Sequence, residues 1–206
     1  MTRSLLFALT VAAAVLGCGS AMAQTSTPLD AKIIDDWRKV DLGSGVSIDV
    51  PRAVGDAYKP TDKADAGLAL FRVSVKDAGD MYCGLDRLAY NAQPLGMNRN
   101  RALDFLTNAA PGIFCHGVGV GVRENFAQAA NSAQGYPGSR CVASFTASQD
   151  GKSEGDVIHA RVVVAPDAVY VLTCTVRDQD QARAETDWET IWRPRIGHLE
   201  DSLKLP

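Results

Sequence analysis

The sequence contains no C-x-x-C pair, no H-x-x-x-H or H-E-x-x-H, and no G-x-G-x-x-G. The first absence removes a thioredoxin-type dithiol. The second removes the paired imidazoles of a helix-borne zinc site, and the third the glycine loop of a dinucleotide fold. Basic clusters are missing too: 21 Lys and Arg stand against 24 Asp and Glu, scattered along the chain. A nucleic-acid backbone would find no positive stripe to neutralise it, so nucleic acid is excluded as an expected partner. Histidine is scarce, with only His116, His159 and His198. After the first 23 residues no apolar run approaches the roughly 20 residues that a membrane span requires. Repeats and low-complexity tracts are absent.

What is present begins at the N-terminus. Arg3 gives a positive start, residues 5–16 are free of charge, and Ala21-Met22-Ala23 has the small-x-small form of a cleavage site. Residues 1–23 are therefore expected to be a signal peptide, with export to the periplasm or beyond. Residues 24–34 read as a polar leader, and 35–206 as a single domain. Without residues 1–23 the balance is 20 basic against 24 acidic residues, a net charge of −4. Val15-Leu16-Gly17-Cys18 offers a rival: it resembles a lipobox, in which Cys18 is acylated and anchors the chain to a membrane.

Strand signals dominate the mature chain. Residues 37–42 and 46–50 read as a hairpin across Gly43-Ser44-Gly45, with Val46, Ile48 and Val50 alternating with Ser47 and Asp49. Residues 68–75 and 81–90 read as a second pair. Asn98 caps an expected helix through residue 109, stopped by Pro111 and Gly112. Val118, Val120 and Val122 alternate with glycines, and 127–139 reads as a loop. A three-strand antiparallel meander follows, with strands near 140–147, 157–164 and 169–176. Trp188, Ile191, Trp192, Ile196, Leu199 and Leu203 recur at helical spacing, the stripe of a C-terminal amphipathic helix. Pro194 must start, kink or split that helix. The two tryptophans are expected in the core. The fold class is thus α+β: an antiparallel sheet with a C-terminal meander, covered by a central helix and a C-terminal helix.

The strand Val46-Ser47-Ile48-Asp49-Val50-Pro51, the meander around Tyr170-Val171-Leu172 and the final Ile196…Ser202-Leu203-Lys204-Leu205 together resemble the PsbP-like α/β/α sandwich of exported bacterial proteins. The resemblance implies a non-enzymatic binding or assembly role. It carries no catalytic residues to this chain.

With Cys18 removed or acylated, Cys83, Cys115, Cys141 and Cys174 remain for disulfides, as expected in an oxidising compartment. The meander registers place Cys174 level with His159 and Cys141 level with about Val162. Cys141 and Cys174 are then two strands apart, nearly 10 Å, too far for a bond that needs Cα atoms within about 7 Å. Cys115–Cys141 with Cys83–Cys174 is the first choice, and Cys83–Cys141 with Cys115–Cys174 the second.

Other chemistry is thin. Cys115 and His116 are neighbours, but strand neighbours point to opposite faces, so a cystine is favoured over a cysteine nucleophile. His159 and Arg161 share a strand face opposite Ile158, Ala160 and Val162, and that face is expected to be solvated. Gly117-Val118-Gly119-Val120-Gly121 reads as a glycine-lined strand, not a phosphate loop. The acids Asp178, Asp180, Glu185, Asp187 and Glu189 suit a helix N-terminus. No catalytic, cofactor or metal residue is assigned and no cofactor is expected. The expectation is a binding or envelope-assembly protein for an envelope protein or small ligand. A deep pocket with converging His, Asp or Arg groups would favour an enzyme, and a flat apolar patch a binding module.

Overall fold

The computed structural model describes residues 32–54, 68–76, 78–90, 98–108, 129–130, 134–149 and 152–206. Strands β1 (Trp37–Gly43) and β2 (Val46–Pro51) form a hairpin. Its turn carries positive φ at Gly43, Ser44 and Gly45, so glycine on both sides of Ser44 relieves the strain of left-handed backbone. Strands β3 (Leu68–Ser74), β4 (Asp80–Ala89), β5 (Ala129–Ala130), β6 (Gly138–Gln149), β7 (Lys152–Val164) and β8 (Ala168–Asp178) make one sheet in the order β3-β4-β8-β7-β6-β5. Every pairing in it is antiparallel. Helix α1 (Arg99–Asn108) starts as its sequence prescribes: the Asn98 side chain accepts the Arg101 N–H at 3.0 Å.

The chain closes with α2 (Gln181–Asp187), a π-turn (Trp188–Trp192) and α3 (Arg193–Ser202). Pro194 lies at the start of α3. Its ring would collide with the carbonyl four residues back in a regular helix. The turn before it is widened instead, and the Arg193 N–H donates five residues back, to Trp188 O. Asp180 caps α2, its carboxylate accepting the Arg183 N–H at 2.9 Å.

Both faces of the sheet are covered. Ala102 of α1 packs with Val162, Val164, Val169 and Val171 on one face. On the other, Trp188, Trp192, Ile196 and Leu199 join Val157, Val163, Tyr170, Leu172 and the β1–β2 hairpin in the main core. Burying side chains of this size is worth roughly 1.5–3 kcal/mol each.

Three readings need correction. His159 and Arg161 are not on a solvated face: they are 4% and 5% exposed, because the C-terminal helix lies over them. Alternation along a strand distinguishes two faces but not water from a covering helix. The β6–β7 hairpin pairs Gln149 with Lys152, so Cys141 is level with Ala160, not Val162. The turn is centred one residue earlier than expected, and β7 begins five residues earlier. The segment 127–139 includes β5, which pairs Ala129 with Arg140 and Ala130 with Ser139. The other meander register stands as read, with His159 opposite Cys174.

Candidate functional site

The β6–β7 ladder sets three cross-strand pairs on the face beneath the C-terminal helix: Arg140 with Arg161, Val142 with His159, and Ser144 with Val157. The helix lies across them and leaves a cleft of about 770 Å³. Trp188, Pro194, Ile196 and Gly197 form its upper wall, and Val142 and Val157 the apolar part of its floor. The size is within the usual range for small-molecule sites, roughly 300–1,000 Å³.

A hydrogen-bonded cluster closes each end. At one end Ser144 Oγ donates to Glu185 Oε1 at 2.6 Å, and Gln181 Nε2 donates to the same oxygen at 2.9 Å. Gly155 lets α2 come this close: a Cβ there would lie 2.3 Å from the Asp180 carbonyl carbon and the Gln181 Cα. At the other end Glu200, buried on α3, meets His159 Nε2 at 2.9 Å. Arg140 and Arg161 approach its two oxygens at 3.6 and 3.7 Å. The His159 ring stacks on Trp188, with centroids 5.5 Å apart.

Burial pushes the Glu200 carboxyl up, but the hydrogen bond and field of His159 and the Arg161 and Arg140 guanidinium groups outweigh it. The group is held below its ordinary range. A carboxylate can only accept, so His159 Nε2 carries the bridging hydrogen. His159 Nδ1 and Arg161 Nε are buried without a hydrogen-bond partner. These atoms are the polar capacity that the fold leaves unused beside the cleft.

Among the described residues no group of three or more His, Cys, Asp or Glu side chains is placed to hold a metal ion. The sequence does spell one nucleophile-elbow pattern that a motif reading passes over, Gly151-Lys152-Ser153-Glu154-Gly155. Its residues Lys152 to Gly155 lie at the start of β7, and not at the strand-to-helix turn that an elbow requires.

Cys83 and Cys174 face each other across β4 and β8, with Cα atoms 4.1 Å apart, and form a disulfide. Cys141, buried on β6, is also disulfide-bonded. Cys18, Cys115, His116 and the glycine run 117–121 lie outside the described residues. His198 is at the surface, 3.1 Å from Asp49 and against the Trp37 ring, and takes no part in the cleft. Asp187 accepts the Gly79 N–H at 2.7 Å, and Glu189 pairs with Arg193 at 2.7 Å. The acidic run therefore supplies a cap and separate contacts. Trp188 and Trp192 are in the core, and Trp188 also walls the cleft.

No protein-family model matches this chain, and no curated protein matches it. Among solved structures, it is similar to PA94, a Pseudomonas aeruginosa protein of unknown function. The two share 14% identity over 78% of this chain and 93% of that one, with a TM-score of 0.39. It is also similar to LpqN, involved in cell envelope biogenesis of Mycobacterium tuberculosis, at 16% identity over 89% of this chain and 88% of that one, with a TM-score of 0.39.

Proposed function

We propose that this is an exported, PsbP-like binding protein of the cell envelope whose ligand is a small amphipathic molecule held in the cleft between the β6–β7 ladder and the C-terminal helix. One observation carries the reading: a cleft of about 770 Å³, apolar along Val142, Val157, Trp188 and Ile196, ends at the buried His159 and Glu200, with Arg161 behind them and hydrogen-bonding atoms of His159 and Arg161 unused. Helices on both faces of the sheet support the sandwich. The Cys83–Cys174 bond is compatible with an extracytoplasmic location.

Converging His, Glu and Arg groups at a pocket also favour a second reading, an enzyme in which His159 moves a proton. The hydrogen bonds weigh against nucleophilic catalysis. The Ser144 hydroxyl donates its hydrogen bond to Glu185, and no described side chain bonds to His159 Nδ1.

Gly197 provides the test, because it lines the cleft and a Cβ there meets no atom within 4 Å. Gly197→Trp should fill the trough without straining the backbone. Wild-type protein is expected to enhance the fluorescence of the neutral apolar probe N-phenyl-1-naphthylamine. Gly197→Trp should lose that signal while keeping its Tm. Equal signals from the two proteins would overturn the cleft as the binding site.

A further inference from the structure

We infer that the ligand of this cleft carries an acid group, a carboxylate or phosphate, and that Arg140 and Arg161 hold it. This rests on the cleft being the binding site. The two arginines are directly opposite each other on β6 and β7, where like charges repel. A single carboxylate, Glu200, stands between them, at 3.6 Å from Arg140 and 3.7 Å from Arg161. At this end of the cleft two guanidinium groups therefore share one carboxylate.

Neither guanidinium makes a hydrogen bond to a described residue. Arg161 is the telling case: it is 5% exposed, and its Nε has no hydrogen-bond partner. A guanidinium offers five N–H donors in a rigid fork, and burying even the Nε donor unused is costly. Of the other acids lining the cleft, Glu189 pairs with Arg193, and Glu185 keeps its charge at the opposite end, bonded to the neutral Ser144 and Gln181. A second anion entering past Arg140, which lines the cleft, would add a counter-charge between the two arginines and an acceptor for Arg161, which lies behind the lining. Its apolar remainder would lie along Val142, Val157, Ile196 and Trp188. A cationic ligand would find at that end only the carboxylate that the two arginines already share.

Calorimetric titration of the oxidised mature protein with decanoate, decyl phosphate, decanol, decyltrimethylammonium and inorganic phosphate separates the outcomes. Decanoate and decyl phosphate are expected to bind at least about tenfold tighter than decanol or decyltrimethylammonium. Arg140→Gln and Arg161→Gln should abolish that preference. Should Arg161→Gln fail to fold, Arg140→Gln carries the test, since that side chain is 42% exposed. Inorganic phosphate binding with the same arginine dependence supports the acid site and identifies a free anion as sufficient. Binding of decyl phosphate alone supports it with a lipid-like headgroup. If decanol or decyltrimethylammonium binds as tightly as decanoate, the acid group is overturned and the cleft stands. If none of the five binds, the cleft falls with it.

Discussion

Glu200 sits where two guanidinium groups and an imidazole meet, and its effect on stability follows from that position. Its carboxyl is held below the ordinary range in the folded protein. Its contribution is therefore complete above the ordinary carboxylate value and is lost as pH falls through the lowered folded value. Glu200→Gln removes the shared carboxylate and leaves Arg161 buried without a counter-ion; a loss of about 3–5 kcal/mol is expected in urea unfolding at neutral pH. Asp187 has the opposite sign. Burial raises its carboxyl, the Gly79 N–H opposes this, and a hydrogen bond to Asp178 adds to the rise. The stability tied to its proton is present below the ordinary carboxylate value and lost as pH rises through the raised folded value. Asp187→Asn keeps an acceptor for Gly79 and a donor for Asp178, so it should raise Tm at neutral pH by more than at acid pH. A Tm gain independent of pH would contradict the shared proton. Neither role was legible in the sequence. Glu200 reads as the polar face of a helix, and a sequence separation of 41 hides its bond to His159. Both sets of neighbours on β7 are buried because a different helix covers each face, and only tertiary contact reveals that.

At the scale of elements the sequence was more explicit. The hairpin of β1 and β2, the pairing of β3 with β4, the Asn98 cap and the β7–β8 register all come from period-two alternation, turn residues and capping chemistry. The β6–β7 register was misread by the placing of one turn, and the two-residue β5 is too short to leave a periodic trace. Pro194 marked a disturbance in the last helix, yet nothing local distinguishes a kink from the π-turn that forms. That helix is held over the sheet by apolar packing and by the absence of a side chain at Gly155. Gly155→Ala puts a Cβ against the Asp180 and Gln181 backbone, and the resulting overpacking should cost about 1–3 kcal/mol. Because α2 would be lifted from β7, the same variant should also weaken binding of N-phenyl-1-naphthylamine in the cleft. A variant with wild-type urea midpoint and wild-type probe signal would show that the close approach is not needed. The Cys83–Cys174 bond ties β4 to β8 across a sequence separation of 91 residues. Replacing both cysteines with alanine should lower stability by roughly 3–5 kcal/mol in the chain-entropy view.

For the whole molecule, the pairing of the cysteines depends on the fate of residues 1–23. Cys83 and Cys174 occupy each other, and Cys141 is bonded as well. Two cysteines are left as its partner, Cys115 and Cys18. The choice between them turns on the N-terminus. If the chain is cut after Ala23, Cys18 is gone and Cys141 can join only Cys115 within the molecule. If Cys18 is acylated, the same pairing holds but the protein stays on the membrane. If residues 1–23 are retained in an oxidising compartment, Cys18 competes for Cys141. If the chain is exported as proposed, protein purified from its native host, digested without reduction and analysed by mass spectrometry, should give two cystine peptides, Cys83–Cys174 and Cys115–Cys141, and an N-terminal peptide starting at Gln24. An acylated N-terminal peptide starting at Cys18 would replace soluble export with a lipid anchor and leave the disulfides intact. A Cys18–Cys141 peptide would overturn both the cleavage and the pairing, and a free Cys115 thiol beside it would complete that result.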